Sequence, residues 1–103
     1  MDREAVQKVR EKEVEKHFVQ QIRSLGGSAF KLYSPWNVGL PDRLVMYHGR
    51  MYLVEIKSPK GRLTKIQKIV HQKMATFGVK VHVIYSPTDT DVFITDTILF
   101  NSE

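Results

Sequence analysis

The sequence contains no cysteine. This absence excludes a disulfide framework, a thiolate zinc site and nucleophilic catalysis by a thiol, and it is consistent with a reducing compartment. The chain also lacks any apolar run near the roughly 20 residues that a membrane-spanning helix needs, and its densely charged N-terminus is unlike a secretory signal. We therefore expect a cytoplasmic protein that is neither secreted nor embedded in a membrane.

Acidic residues are scarce in the middle of the chain. The stretch from Lys16 to Thr88 holds twelve Lys or Arg residues but only two acids, Asp42 and Glu55. The net charge of +5 and the pI of about 9.6 are compatible with a polyanionic partner but do not establish one. The positions of the two acids are therefore more informative than the total charge.

With 103 residues, of which 42% are hydrophobic, we expect residues 1–103 to form a single domain with one core. Apolar residues at helical spacing predict a long helix over residues 2–25, and a second helix over residues 64–77. Strands are predicted over residues 28–33, 43–48, 51–57 and 79–85. The tail, residues 91–100, has the composition of a further strand, with a short helix left open. This order predicts an α/β fold with a mixed central β-sheet flanked by helices.

The two central acids fall on the two arms of a predicted hairpin, whose tight turn is indicated by Gly49 and Arg50. Glu55 and Lys57 point to the same face because side chains alternate along a strand, and Asp42 begins the opposing arm. One or two carboxylates are the usual protein contribution to a Mg²⁺ site, and a nearby lysine can stabilise a transition state at phosphorus. These residues suffice for metal-dependent phosphodiester hydrolysis.

In this order the residues resemble the PD-(D/E)xK nuclease superfamily and, within it, the VRR-NUC (virus-type replication-repair nuclease) family. The resemblance covers nearly the whole chain. The matching pieces are the N-terminal helix ending in Gly26-Gly27, Lys31, Gly39-Leu40-Pro41-Asp42-Arg43, Val54-Glu55-Ile56-Lys57, Gln67 and the strand after Gly78. The resemblance implies a restriction-endonuclease-like core in the order α-β-β-β-α-β plus a C-terminal element.

The resemblance also implies roles for individual residues. Lys57 would be the catalytic lysine and Gln67 would line the same centre. The metal ligands, for Mg²⁺ or Mn²⁺, would be Asp42, Glu55, Ile56 and a glutamate of the first helix.

That helix glutamate is the least defined position, because Glu11, Glu13 and Glu15 all compete for it. At about 100° per residue, Glu13 falls opposite the apolar face of the helix, whereas Glu11 and Glu15 fall on it. We prefer Glu11 and keep Glu15 as the alternative.

Several basic and aromatic residues around the motif are candidates for DNA contacts, namely Lys31, Trp36, Arg43, Lys60, Arg62 and Lys65. Each has a simpler explanation: the lysines and arginines as a solvated surface, Trp36 as packing under its loop, and Arg43 as the start of a strand. The four histidines show no ligand-like spacing, so we interpret them as structural or exposed and predict no zinc site.

The resulting hypothesis is a metal-dependent, structure-selective DNA endonuclease. The resemblance implies products with 5′-phosphate and 3′-hydroxyl ends. The resemblance implies a homodimeric Holliday-junction resolvase of viral or prophage origin in a bacterial cytoplasm. The apolar tail is predicted to contribute to the dimer interface through Val92, Phe93, Ile94, Ile98, Leu99 and Phe100. The alternatives are a flap or single-strand nuclease, a non-catalytic basic DNA-binding module and a protein-interaction domain.

Overall fold

The computed structural model describes the backbone of residues 3–33, 35 and 38–100, and the side chains from residue 10 onward within these ranges. The elements are α1 (Arg3–Ser24), β1 (Ser28–Lys31), β2 (Arg43–Tyr47), β3 (Arg50–Ile56), α2 (Lys65–Thr76), β4 (Val81–Ile84), α3 (Pro87–Phe93) and a π-helix (Ile94–Leu99). The strands form one sheet in the order β1-β2-β3-β4. β1, β2 and β3 are antiparallel, and β4 is parallel to β3. The predicted mixed sheet flanked by helices is confirmed.

The long N-terminal helix packs one apolar face against the sheet. Val14, Phe18 and Ile22 recur every four residues, and all three are buried together with Val45 and Val54 of the central strands. The helix ends at Ser24, and Gly26, two residues later, has a φ of +89°, a conformation that residues with a side chain rarely adopt. The predicted helix and its glycine stop are both confirmed.

The second helix begins at a capping box. The Thr64 hydroxyl accepts a hydrogen bond from the Gln67 amide, and the Gln67 side chain accepts one from the Thr64 amide. No residue of α2 is buried, and Ile66 and Ile69 of its apolar stripe are 50% and 56% exposed. The stripe predicted from the sequence thus exists, but within one chain it stays largely open.

The predicted strand in the tail is wrong, and the short helix left open from the sequence is what forms. Ser86 caps α3 by accepting a hydrogen bond from the Asp89 amide, and Pro87 occupies the first turn, where its missing N–H costs nothing. These local signals outweigh the β-branched composition of the segment.

Three of the six tail residues that were predicted to contact a second copy are buried within their own chain. Phe93, Ile94 and Ile98 belong to the buried core of the same chain, whereas Leu99 and Phe100 remain exposed. Half of the apolar tail therefore stabilises the fold and is not available to a partner. Within the part of the chain that the structure describes, no helix is long and apolar enough to cross a bilayer.

Candidate functional site

Asp42 is held at the open end of the β2–β3 hairpin. The register pairs Arg43 with Val54, which brings Asp42 beside the end of β3. There its Oδ2 accepts a hydrogen bond of 2.8 Å from the backbone amide of Ile56. The preceding loop lies close to α2, because a Cβ on Gly39 would be only 2.7 Å from the Ile66 Cγ2 atom. Glycine at this position therefore lets the loop deliver Asp42 to the sheet.

Glu55 is a buried acid near the end of β3, between two apolar residues. It is 1% exposed, and both of its neighbours, Val54 and Ile56, are also buried. Burial is the main cause that raises the pKa of Glu55 to about 9, followed by a hydrogen bond from its side chain to Asp42 and by the charge of Asp42. A carboxyl group kept in such a costly place is a strong candidate for function.

Glu11 is the glutamate of α1 whose charge acts on Glu55. Burial raises the pKa of Glu11, the charge of Lys57 lowers it, and the charges of Asp42 and Glu15 raise it. Glu11 thus shares an electrostatic environment with the two hairpin residues. Glu15 instead lies 3.5 Å from the Arg43 guanidinium, and Glu13 is exposed. This arrangement favours Glu11 for the role that the sequence left open.

Arg43 occupies a structural position. Its Nη1 donates a hydrogen bond of 3.0 Å to the carbonyl oxygen of Ala29, and its Nη2 faces Glu15. The side chain is only 14% exposed. It joins α1 to β1 and β2, which argues against the phosphate contact predicted from the sequence.

Two polar residues of α2, Gln67 and His71, share one face of the helix, and the contact with an acid of the centre is made by His71. Gln67 was predicted to line the centre, and the structure places its side-chain oxygen in the capping box with Thr64. One turn later, the His71 Nε2 lies 3.5 Å from the Glu55 Oε1. Burial is the main cause that lowers the pKa of His71. Interpreting every histidine as structural or exposed missed this contact, although the spacing of four from Gln67 would have indicated it.

Comparison with known proteins agrees with this geometry. The VRR-NUC domain family matches residues 2–87. The phage protein named "Putative nuclease p44", from Acyrthosiphon pisum secondary endosymbiont phage 1, is 39% identical over 79 residues, which cover 76% of this chain and 85% of that protein. A solved structure titled "VRR_NUC domain" superposes with a TM-score of 0.77 at 28% identity, covering 85% of this chain and 97% of the other.

The chain belongs to the VRR-NUC family. It is therefore a nuclease domain, and the VRR-NUC match accounts for the sheet, α1, α2 and the hairpin that carries Asp42 and Glu55. The family match ends at residue 87, where α3 begins.

Basic side chains lie on the segment that follows the hairpin of this VRR-NUC domain. Lys60, Arg62 and Lys65 are all exposed, between Lys57 at the end of β3 and the first turn of α2. Lys31, at the end of β1, is exposed as well. Trp36, the aromatic residue predicted to contact DNA, lies outside the described residues.

The acids of the VRR-NUC centre have the chemistry of a divalent-cation site. The Glu55 Oε1 is buried without a hydrogen-bond partner among the described residues, so the carboxyl group of Glu55 has capacity left for further partners, and a cation could be one of them. In the same described ranges, no group of three or more acidic or histidine side chains is arranged to hold a metal ion by itself. Mg²⁺ tolerates this, since it commonly keeps several waters and takes only one or two carboxylates from the protein.

Proposed function

We propose that this VRR-NUC domain is a divalent-metal-dependent endonuclease that hydrolyses DNA phosphodiester bonds with Mg²⁺ or Mn²⁺. The observation that carries the proposal is the carboxyl group of Glu55, which is 1% exposed, at the end of β3 where Asp42 is also held, with the charges of Lys57 and Glu11 acting on it. Burying an acid beside another acid costs free energy unless a cation compensates both. The proposed cation removes that cost.

Each residue of the centre has a distinct proposed task. Asp42, Glu55 and Glu11 supply carboxylate oxygens, and Ile56 can offer only its main-chain oxygen. A divalent cation bound there lowers the pKa of a coordinated water and offsets the negative charge of the phosphate. The Lys57 ammonium, in the same electrostatic environment, orients the nucleophile or stabilises the charge that develops on the phosphoryl oxygens.

DNA is proposed to lie across the exposed basic segment. Lys60, Arg62 and Lys65 are exposed on the segment that joins β3 to α2, and we propose that they bind phosphates on either side of the bond that is cut. These contacts go to the backbone and do not read base sequence. We therefore favour structure-selective cleavage, and specifically a four-way junction substrate in a bacterial host cytoplasm, as the family resemblance implies.

We further propose that two copies associate through the face of the sheet that α1 leaves uncovered. Apolar side chains lie next to one another there across β1, β2 and β3. One row consists of Phe30, Leu44 and Leu53, and the pair Met46 and Met51 lies beside it. Phe30, Met46 and Met51 are 52%, 40% and 66% exposed. Because these pairs contain no lysine or arginine, the surface that they form is better suited to binding a protein than to binding DNA. A two-fold dimer is the commonest symmetric assembly of identical chains.

Light scattering at micromolar concentration tests the dimer. The wild type is expected to have twice the mass of one chain. Met46→Lys should have the mass of one chain, whereas the matched tail variant Phe100→Ser should keep the wild-type mass. A monomeric wild type would refute the dimer. If Phe100→Ser dissociates the dimer and Met46→Lys does not, the interface lies at the tail and not on the sheet.

Side-by-side cleavage of a four-way junction, a 5′ flap, a single strand and a linear duplex tests the substrate. We expect paired nicks near the branch point of the junction, only with Mg²⁺ or Mn²⁺. Preferential cutting of the flap or the single strand would support the alternative nuclease classes. DNA binding that is equal in EDTA, with no substrate cut, would identify a non-catalytic binding module.

A further inference from the structure

His71, on α2, approaches the buried carboxyl group of Glu55. The His71 Nε2 and the Glu55 Oε1 are 3.5 Å apart. Both atoms are buried, and neither has a hydrogen-bond partner among the described residues. Buried polar atoms in proteins are almost always paired, and an imidazole N–H and a carboxylate oxygen are complementary. A small side-chain adjustment would turn this approach into a hydrogen bond.

His71 lies on the least exposed face of α2. α2 has no buried residue, and the apolar Ile66 and Ile69 on it are about half exposed. The His71 side chain, in contrast, is only 12% exposed. Because Gln67 lies four residues earlier, both polar side chains leave the same face of the helix. The least exposed residues of the helix are Gln67, Val70, His71 and Met74, so its inward face is partly polar, and His71 is the residue on it that approaches Glu55.

We propose that His71 is a positioning residue, whose Nε2–H donates to the Glu55 Oε1 and orients the carboxylate so that its second oxygen is available to the metal ion. The inference rests on the proposed metal-dependent function. An imidazole with its hydrogen on Nε2 and an imidazolium both provide this donor, so the proposal does not depend on the charge of His71. Groups that orient a metal ligand typically change metal affinity 10- to 100-fold when they are removed.

The test measures Mn²⁺ binding without DNA, by calorimetry, for the wild type and three variants. His71→Leu removes the donor at similar volume, His71→Gln keeps an N–H donor at comparable reach, and Gln72→Leu changes the neighbouring exposed residue on the same helix. We expect Mn²⁺ binding to weaken about tenfold or more in His71→Leu and to stay within a few-fold of wild type in the other two. Thermal melting in EDTA verifies that each variant is folded.

A second readout separates positioning from packing. For His71→Leu, the Mn²⁺ concentration that gives half-maximal cleavage should rise by the same factor as the dissociation constant, while the rate at saturating Mn²⁺ recovers. Wild-type Mn²⁺ affinity in His71→Leu would overturn the inference, and so would equal losses in His71→Gln and His71→Leu. If the wild type itself neither binds Mn²⁺ nor cuts DNA, the proposed function falls together with the inference. If it does both and His71→Leu is unchanged, only the role of His71 falls.

Discussion

The backbone amide of Ile56 donates a hydrogen bond of 2.8 Å to Oδ2 of Asp42. This bond connects the loop that enters β2 with the end of β3, so the position of one carboxylate depends on the backbone next to the other. One oxygen of Asp42 is thereby fixed within the fold, and the acid has both a structural and a proposed chemical task. The two tasks can be separated by mutation.

Asp42→Asn is expected to keep the hydrogen bond from Ile56 and to lose the negative charge. It should melt within a few degrees of wild type but neither bind Mn²⁺ nor cut DNA. Asp42→Ala loses both features and should be less stable by about 1 kcal/mol, the net contribution of one hydrogen bond. Calorimetry and thermal melting measure these effects. Normal Mn²⁺ affinity in Asp42→Asn would show that the charge is not a ligand.

Stability without metal is expected to fall as the pH rises. The pKa of Glu55 is about 9 in the folded protein and near 4.5 when unfolded, so the folded state holds the proton more tightly. Its contribution is complete below about pH 4.5 and is lost as the pH passes through about 9. The titratable groups around Glu55 change the pH at which half of this contribution is lost, but not the direction of the change. They are Glu11, Asp42, Lys57 and His71.

Thermal melts in EDTA from pH 5 to pH 9 measure this loss. Glu55→Gln cannot ionise, so its stability should vary less with pH and exceed that of the wild type by about 1–3 kcal/mol near pH 8. Added Mg²⁺ should stabilise the wild type more at pH 8 than at pH 5, because binding requires the deprotonated acid. Parallel pH profiles of the two proteins would contradict the proposed burial of a neutral acid.

Three glutamates of α1 give a matched set. Glu11→Gln should greatly reduce cleavage and weaken Mn²⁺ binding, because Glu11 shares the electrostatic environment of Lys57 and Asp42. Glu15→Gln breaks the ion pair with Arg43, so it should cost up to about 1 kcal/mol of stability and leave Mn²⁺ binding intact. Glu13→Gln, at an exposed position, serves as the control. If Glu15→Gln proves to be the inactive variant, the assignment of the helix carboxylate must be reversed.

The basic segment should control the salt dependence of DNA binding. Each of Lys60→Ala, Arg62→Ala and Lys65→Ala should lower the slope of log K against log salt by about 0.9 for duplex arms, for each phosphate that the variant no longer binds. Arg50→Ala is the matched control, because Arg50 is exposed at the opposite end of the hairpin. Binding titrations from about 50 to 200 mM salt in EDTA provide the slopes. Unchanged slopes in all three variants would mean that the segment is only a solvated surface.

The sequence predicted the sheet and the hairpin well, because their signals are local. Glycines mark the ends of α1 and the hairpin turn, and the alternation along β3 fixes which residues share a face. The tail was mispredicted since β-branched composition competes with helix capping there. Only tertiary packing decides that Phe93 and Ile98 enter the core, and residue spacing alone carries that information weakly.

The individual residues of the site were less predictable than the hairpin. Asp42 and Glu55 meet because the register of β2 and β3 brings them to the same end of the hairpin. A two-residue turn nearly fixes that register. The contacts of Arg43 and His71 depend on which helix covers each side of the sheet. Arg43 lies against α1, while His71 approaches Glu55 from α2. Pairwise contacts between distant elements of this kind leave no periodic signal in the chain.

Cleavage of an end-labelled four-way junction by wild type and Lys57→Ala, in Mg²⁺, Mn²⁺ or EDTA, is the decisive measurement for the proposed nuclease. A matched linear duplex is the substrate control, and binding of both proteins to the junction is measured in parallel in EDTA. We expect paired nicks near the branch point by wild type with metal only, and a Lys57→Ala variant that binds the junction but does not cut it. A wild type that binds the junction and cuts nothing under any condition, or a Lys57→Ala variant that cuts at the wild-type rate, would refute the proposed catalytic centre.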